Sequence, residues 1–397
     1  MDAWFFTEMA YTKAWDPRRE GLRVDYANAN FDPEEGARLL NRHLDEWMLA
    51  DELGLNIATN EHHSTATCMA VSPSIVLGIL ARQTKKARLL ALGHAIANRP
   101  DPVRVAEETA FVDVLSRGRV EVGMVRGSPP EVAATNSNPT RMHDRFWEAH
   151  DLILKAWTTR DGPFNWEGTH FSHRQVNIWP RPYQEPHPPV WISGTSLDAA
   201  KVIAQRGYVF ATFFGGYRAR AWLDAYREEY LRVWNRPAAD DRLGCMALVA
   251  VGDTDEEGFR RGDMLRGYLR TAPQVARQFA NPPGFLPPAL NARIMRQAAG
   301  GGLFSQFQVT LPDGRTVKLA DAPVEDLIEA GIMFAGNPDS VARQISKLQD
   351  QLGGFGHLVM MGQAGEIDHR NTAASMTLFA REVMPRFRAA APTANVA

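Results

Sequence analysis

The stretch DEWMLADELGLNIATNEHH, residues 45–63, decides the fold class of this chain. Residues 45–53 form an amphipathic segment, and Gly54 separates that segment from the apolar run 55–60. A glycine directly before a short apolar run is typical of a helix that ends and is followed by a strand. Because buried strands of parallel sheets are apolar on both faces, residues 55–60 predict a strand of an α/β protein.

The same order of helix, glycine and strand recurs along the chain. Gly207, Gly331 and Gly356 each lie between an amphipathic segment and an apolar run. Further strand-like runs are found at residues 4–9, 87–96, 120–125, 189–193 and 245–251. About eight or nine strands that alternate with helices predict a closed α/β fold, a (β/α)8 TIM barrel, in one domain over residues 1–397.

Two stretches interrupt the alternation and are interpreted as insertions. Residues 161–186 combine turn residues with aromatic side chains and predict a hairpin before the fifth strand. Residues 253–320 contain the proline- and glycine-rich segments 281–284 and 298–302. Long insertions in barrels often cover the active face, but a solvated decoration or an oligomer contact fits this sequence equally well.

The composition predicts a globular, cytoplasmic protein. Of the 397 residues 45% are hydrophobic, which is enough for a sizeable core. The formal net charge of −2 provides no field for nucleic acid or acidic membranes, so neither is predicted as a partner. Cys68 and Cys245 are too few for a disulfide framework. The N-terminal residues have no signal-peptide pattern, and the longest apolar run, residues 69–81, is too short for a membrane helix.

Glu61, His62 and His63 follow the predicted strand 55–60 directly. In α/β folds ligands bind where the carboxyl ends of the strands open outward, so these side chains are candidates for chemistry. An imidazole there suits a general base or a proton donor, although a hydrogen-bonded residue at a strand end is the simpler alternative. A metal site is a further alternative, formed by Glu61, His62, His63, His94 and His357.

A phosphate site is predicted at the turn after the strand 189–193. Gly194 is followed by Thr195 and Ser196 and then by a helical pattern, so backbone N–H groups at the helix start can hold an anion. A simple helix cap explains the two hydroxyls equally well. Arg126 follows the strand 120–125 and is placed to assist. Dinucleotide, Walker and nucleophile-elbow motifs are absent from the sequence.

A family resemblance becomes specific when the motifs are taken in order. Eight of them resemble those of the bacterial luciferase-like flavin monooxygenases and keep that family's order and approximate spacing. They are NEHH at 60–63, RQT at 82–84, LGHAI at 92–96, PVRVAEE at 102–108, LSRGR at 115–119, GMVRG at 123–127, RFWEA at 145–149 and PPVWISG at 188–194.

The resemblance implies a barrel that binds reduced FMN, forms a C4a-peroxyflavin with O2 and transfers oxygen to a small organic substrate. An apolar or aromatic substrate, a separate flavin reductase as the donor of reduced FMN, and a homodimer are expected. The resemblance makes His62 the catalytic residue beside the flavin's reactive edge, with Glu61 and His63 supporting its ring. Residues expected to bind the cofactor are His94, Ala95, Arg126, Arg145, Gly194, Thr195 and Ser196.

Three further expectations follow from the resemblance. The match at residues 93–96 predicts a non-proline cis peptide between Ala95 and Ile96. Val125 stands where luciferase has a reactive cysteine, which argues against close identity with luciferase but not against monooxygenation. Residues 11–32 form a longer insertion than luciferase has, on the active face or as a surface loop. The alternatives are a deazaflavin-dependent oxidoreductase on the same fold and a metal-dependent barrel hydrolase.

Overall fold

The computed structural model describes residues 1–16, 18, 21–271, 274–286, 288–289, 291–292 and 308–387. The strands in chain order are β1 (Asp2–Phe6), β2 (Asn56–Thr59), β3 (Leu89–Ala95), β4 (Val120–Val125), β5 (Phe164–Glu167), β6 (Ser172–Val176), β7 (Val190–Ser193), β8 (Val209–Phe213), β9 (Leu243–Val251), β10 (Gln308–Thr310), β11 (Thr316–Lys318), β12 (Met333–Gly336) and β13 (His357–Met361).

The helices are α1 (Pro33–Glu52), α2 (Pro73–Gln83), α3 (Pro102–Ser116), α4 (Pro129–Ala134), α5 (Met142–Thr158), α6 (Leu197–Gln205), α7 (Ala219–Trp234), α8 (Asp255–Thr271), α9 (Arg277–Ala280), α10 (Val324–Glu329), α11 (Pro338–Leu352) and α12 (His369–Leu378). None of the described helices is long and apolar enough to cross a membrane.

Eight parallel strands close a barrel in the order β1, β2, β3, β4, β7, β8, β9, β13 and back to β1. The long strand β9 pairs with β8 at residues 243–246 and with the additional strand β12 at residues 248–251. The predicted (β/α)8 barrel is therefore confirmed. The glycine pattern that predicted it is confirmed at Gly54, Gly207 and Gly331, which adopt positive φ angles of 75°, 69° and 69° between helix and strand. Before β13 the helix ends at Gly353, with a φ of 70°, rather than near Gly356.

Side chains alternate between the barrel interior and the outer helical layer along each strand. On β1, Trp4 and Phe6 belong to the inner cluster, whereas Phe5 packs with the helices. A cluster of polar side chains closes the barrel interior at the amino ends of the strands. There Trp4 Nε1 donates to His357 Nδ1 at 3.2 Å, and Glu121 lies within ion-pair distance of Arg88. The carboxyl face is left as the side from which a ligand can enter.

The segments interpreted as insertions have defined structure where the chain is described. Residues 161–186 contain the antiparallel pair β5 and β6, which confirms the predicted hairpin. Residues 253–320 begin with α8, which packs on β9 and β12, and later include the hairpin of β10 and β11. Residues 11–32 return over the loop that follows β2, where Arg23 forms a bridge with Thr65. The backbone of Leu22 also bonds to that of Gln274 at 3.2 Å.

Candidate active site

His62 lies at the carboxyl end of β2 with a carboxylate near each ring nitrogen. Nδ1 is 2.8 Å from Oε1 of Glu131 and makes a hydrogen bond with it. Nε2 is 3.7 Å from Oε1 of Glu8. The His62 side chain is 20% exposed, while the two carboxylates are 2% and 8% exposed. The imidazole is therefore held between two buried negative groups that come from different parts of the chain.

Glu131 is fixed by the first turn of α4. Ser128 caps this helix, and both its backbone N–H and its hydroxyl donate to Glu131 Oε2, at 2.9 and 2.7 Å. The backbone N–H of His63 donates to Oε1 at 3.0 Å. Burial alone would raise the pKa of Glu131, but the neighbouring His62 and the Ser128 donors lower this pKa to about 2. Glu131 is therefore ionised throughout the physiological pH range.

The two carboxylates determine the protonation state of His62. Burial alone would lower the pKa of His62, but Glu131 and Glu8 outweigh burial and raise this pKa to about 9. The ring is therefore an imidazolium at neutral pH and carries a proton on both nitrogens. An imidazolium is a proton donor, so the geometry favours the acid among the two roles that the sequence left open.

Glu61 and His63 form a separate group beside His62. Glu61 Oε1 accepts a hydrogen bond from His63 Nε2 at 2.8 Å and lies 2.9 Å from Nη2 of Arg99. Burial alone would raise the pKa of Glu61, but His63, His94 and Arg99 hold it well below its usual value. The expectation that Glu61 and His63 support the His62 ring is wrong for their side chains. Successive residues of an extended chain point to opposite faces, so Glu61 points away from its neighbour.

The predicted phosphate residues lie at the ends of two adjacent strands. β4 and β7 pair in parallel, and Arg126 follows the first while Gly194 follows the second. The Arg126 guanidinium stacks on the ring of Phe285 at 4.1 Å and has no hydrogen bond to a described residue. Burial lowers the pKa of this guanidinium. Ser196 caps α6 by accepting from the N–H of Ala199 at 3.2 Å, so the cap interpretation holds for this hydroxyl. Thr195 is exposed at the same helix start.

Arg145 binds protein groups in the described structure. Its Nε donates to the carbonyl of Ala97 at 2.8 Å, and its Nη2 donates to the carbonyl of Arg99 at 2.7 Å. The guanidinium also lies 4.2 Å from the ring centre of Phe171. These bonds fix the loop that follows β3. Arg145 therefore positions this loop, and its donors are less available to a phosphate than those of Arg126.

The predicted cis peptide between Ala95 and Ile96 is wrong. Among the described residues, the non-proline cis bond lies between Leu92 and Gly93. The Gly93 backbone is so close to β4 that a Cβ there would be 2.6 Å from the carbonyl carbon of Gly123. Ala95 ends β3 and is buried. The motif match therefore identified the right strand but the wrong peptide bond within it.

Several buried polar atoms at the carboxyl ends of the strands have no hydrogen-bond partner among the residues that the structure describes. They are Thr59 Oγ1 on β2, both amide atoms of Asn98 after β3, Nε2 of Gln363 after β13, and His94 Nδ1 on β3, which lies 3.6 Å from Oε2 of Glu61. Buried polar groups in folded proteins are normally paired, because a missing partner is costly. A flavin has a ring with hydrogen-bonding edges and a phosphate. These atoms, together with the Arg126 guanidinium, therefore fit such a group.

The five residues of the metal alternative do not come together. His357 begins β13 at the amino end of the barrel, where its Nε2 bonds to the carbonyl of Asp241 at 2.9 Å. Glu61, His62, His63 and His94 lie at the opposite end. Over the residues that the structure describes, no cluster of three or more His, Cys, Asp or Glu side chains has a geometry suited to a metal ion.

Three residues of the site were missed by the sequence analysis. Glu8 continues the alternation of Trp4 and Phe6 on the inner face of β1, and this pattern could have identified it. Glu131 stands three residues after Ser128, which is the spacing of a capping box. Tyr268 lies on α8 and donates to Glu8, a contact between distant segments that no local pattern indicates.

The chain is similar to known proteins in sequence and, separately, in fold. The sequence model described as luciferase-like monooxygenase matches residues 27–353. A Sinorhizobium fredii protein described as uncharacterised is 30% identical over 239 residues, 57% of this chain and 67% of that protein. The oxygenase component of the flavin-dependent trigonelline monooxygenase of Acinetobacter baylyi is 26% identical over 180 residues, 44% of this chain and 49% of that protein. The chain thus spans about two thirds of the length of the first relative and about half of the second.

Solved structures share the fold over almost the whole chain. One is the FMN complex of the oxygenating constituent of 3,6-diketocamphane monooxygenase of Pseudomonas putida, a type II Baeyer-Villiger monooxygenase. Its TM-score is 0.71 at 18% identity, over 98% of this chain and 99% of that chain. An F420-dependent secondary alcohol dehydrogenase has a TM-score of 0.65 at 15% identity, over 98% and 99% of the two chains. At such identities the likeness concerns the fold alone.

Proposed function

The chain belongs to the family of luciferase-like monooxygenases, and we propose that it is the oxygenase of a two-component system. In this proposal a separate flavin reductase supplies reduced FMN, and the oxygenase uses O2 to oxygenate a small apolar or aromatic organic substrate. The observation that carries the proposal is the imidazole ring of His62, held between the carboxylates of Glu131 and Glu8 at the mouth of the barrel. The relative from Acinetobacter baylyi, described as an oxygenase component, supports the two-component arrangement.

The residues proposed to hold FMN lie at the ends of β3, β4 and β7. Arg126, Gly194, Thr195 and Ser196 are assigned to the phosphate, because they combine the start of α6 with a guanidinium that stacks on Phe285 and makes no hydrogen bond to a described residue. His94 and Ala95 are assigned to the ring, together with the side-chain amide of Asn98, which has no hydrogen-bond partner among the described residues. When bound, reduced FMN supplies the electrons that reduce O2 and delivers one oxygen atom to the substrate.

His62 is proposed to donate a proton from Nε2. Its other nitrogen, Nδ1, is hydrogen-bonded to Glu131, which fixes the direction in which the ring points. The Nε2 proton faces Glu8 and the barrel mouth. A proton donor with a fixed ring orientation can protonate oxygen as negative charge develops there. The apolar inner cluster, which includes Phe6 and Met361, excludes bulk water beneath the mouth.

The first experiment compares two cofactors. The purified chain is titrated without oxygen with reduced FMN and, in parallel, with a reduced deazaflavin. We expect tighter binding of reduced FMN, followed by oxygen consumption and substrate oxygenation when air and a flavin reductase are added. Tight binding of the deazaflavin, with hydride transfer and no need for oxygen, would replace the proposal with the alternative oxidoreductase.

The second experiment tests His62. His62→Ala should leave FMN binding measurable but uncouple oxygen consumption from product, so that hydrogen peroxide replaces product. His63→Ala is the matched control, because it removes the neighbouring imidazole while Glu131 and Glu8 still hold His62. The ratio of product to consumed O2 is the measurement. Unchanged coupling in His62→Ala would remove this residue from the mechanism.

We also infer that the chain forms a homodimer through α2 and α3. These helices pack against each other, and together with the loop before α2 they expose an apolar surface. Its members are Val71, Ile75, Ile79, Phe111, Val114 and Leu115. Ile75 is 66% exposed and Phe111 is 57% exposed. A contiguous apolar surface of this kind marks an interaction site more often than a solvated face, and a second copy presents the same surface in return.

A further inference from the structure

Glu8 is a buried carboxylate that faces His62 and belongs to no predicted motif. It is 7% exposed and lies two residues beyond the end of β1. The hydroxyl of Tyr268 donates to its Oε1 at 2.8 Å, and the same oxygen is 3.7 Å from Nε2 of His62. Its second oxygen, Oε2, is buried without a hydrogen-bond partner in the described structure. A buried carboxylate stays ionised only where positive charge or donors compensate it.

The position of Glu8 is fixed from two sides. The alternation of Trp4 and Phe6 on the inner face of β1 directs Glu8 toward the barrel mouth. The chain then turns at Met9, whose φ angle is 54° and whose N–H bonds to the Thr7 hydroxyl at 3.2 Å. Tyr268 reaches the carboxylate from α8, 260 residues further along the chain. Strand, turn and helix thus hold one carboxylate against one imidazole.

The charges around His62 come from several elements. Glu131 on α4 binds Nδ1, and Glu8 faces Nε2. Arg23 of the 11–32 segment acts in the opposite direction and disfavours the charged ring. The Tyr268 hydroxyl and the Cys68 thiol also face this group, but burial raises the pKa of both well above their usual values, so both stay neutral. Two negative groups therefore oppose one positive group around the ring.

We propose that Glu8 is a positioning residue that holds His62 in its imidazolium form by stabilising the proton on Nε2. If Glu131 were the only carboxylate beside the ring, no negative charge would face the proton on Nε2. The ring could then lose the Nε2 proton and act as a base. With Glu8 in place, both ring nitrogens face carboxylates, and both keep their protons. Glu8 thus selects the acid role, and Tyr268 keeps its carboxylate at the required place. The catalytic meaning rests on the proposed function, whereas the protonation state of His62 does not.

The test is a titration of His62 in the flavin-free protein. Imidazole nitrogens are labelled with 15N, and the His62 signals are assigned from their loss in His62→Gln. Glu8→Gln removes the charge but keeps the size of the side chain, and it should lower the midpoint of the His62 titration by about one pH unit or more. Glu8→Asp keeps the charge and should restore most of the difference.

Glu61→Gln is the matched control. It makes the same change in another buried carboxylate at the same face, but Glu61 contacts His63 and Arg99 rather than the His62 ring. We expect the His62 midpoint in this variant to stay within about 0.3 pH units of the wild type, well below the smallest shift expected for a lost ion pair. A shift of equal size in Glu61→Gln and Glu8→Gln would show a general effect of charge and would overturn the proposal. An unchanged midpoint in a folded Glu8→Gln would overturn it directly.

A second readout connects the titration to the reaction. The ratio of product to consumed O2 is measured against pH for the wild type and for Glu8→Gln. The pH at which coupling falls should move to lower values by the same amount as the His62 midpoint. If no oxygenation is found with reduced FMN, the proposed function fails, and the titration still decides whether Glu8 controls the protonation of His62. A coupling profile that does not move while the midpoint does would refute the catalytic role of Glu8.

Discussion

Glu131→Gln is expected to remove most of the pH-dependent stability that His62 gives to the fold. The carboxylate accepts hydrogen bonds from Ser128, from the His63 backbone and from the His62 ring. A glutamine has the same shape, and its single carbonyl oxygen can still accept from the backbone N–H and the hydroxyl of Ser128. It cannot provide the negative charge, and its amide nitrogen cannot accept from the His63 backbone or the His62 ring, so the pH-dependent part of the loss reports the charge.

The magnitude follows from the His62 pKa. Burial alone would lower this pKa, but the carboxylates raise it from 6.5 to about 9. A raised pKa means that the charged ring stabilises the fold fully below pH 6.5, and that this contribution is lost as the pH rises through about 9. At about 1.4 kcal/mol for each pH unit, the contribution is about 3 kcal/mol. Glu131, at 2.8 Å, is closer to the ring than Glu8, at 3.7 Å, and should provide the larger share, about 2 kcal/mol.

The assay is urea denaturation of wild type and variant at pH 6 and pH 10. The free energy of unfolding should be lowered by about 2 kcal/mol more at pH 6 than at pH 10. Glu148→Gln is the matched control, because Glu148 also accepts several N–H donors, those of Trp166, Thr169, His170 and Phe171, but no imidazole. Its effect should be the same at both pH values. Equal losses at both pH values in Glu131→Gln would refute the ion pair as the source of the pH dependence.

Three further predictions concern the cofactor, the dimer and the fold. Arg126→Ala should weaken FMN binding by a factor of about ten or more, about 1.4 kcal/mol, as measured by quenching of flavin fluorescence, and unchanged binding would exclude this guanidinium as a phosphate ligand. Ile75→Glu should convert a dimer to monomers in light scattering, whereas Leu231→Glu, on an exposed position of α7, should not. Gly93→Ala should lower the melting temperature by several degrees, because its Cβ would lie 2.6 Å from Gly123. Gly78→Ala, with nothing within 4 Å of the new Cβ, should not lower it.

The barrel was predictable because its signals are local. A helix that ends in a glycine with positive φ, followed by an apolar strand, is visible within about 20 residues of sequence, and the structure repeats this unit around the ring. The end of each predicted strand also indicated which residues reach the carboxyl face. His62, Arg126 and Gly194 were all found in this way, because a strand end is a property of the sequence next to it.

The partners of these residues were not predictable in the same way. The ring of His62 is held by Glu8 and Glu131, which lie 54 positions before it and 69 positions after it. Tyr268 is further still along the chain. Such contacts depend on how the strands close the barrel and on where each loop returns. The close approach of Gly93 to a glycine of the next strand is likewise a contact that no pattern within β3 shows.

The two adjacent histidines show how position, rather than residue type, sets the chemistry of this site. His62 and His63 have the same side chain, but they leave an extended segment on opposite faces. His62 meets Glu131 and Glu8 and is held as an imidazolium. His63 bonds to Glu61, and its side chain is 32% exposed, so water solvates part of its ring. A charge that is fixed away from bulk water acts on a reacting atom more strongly than a solvated charge does. The pair therefore divides into one half-buried ring held between two carboxylates, which is the proposed proton donor, and one more exposed ring that is bonded to Glu61.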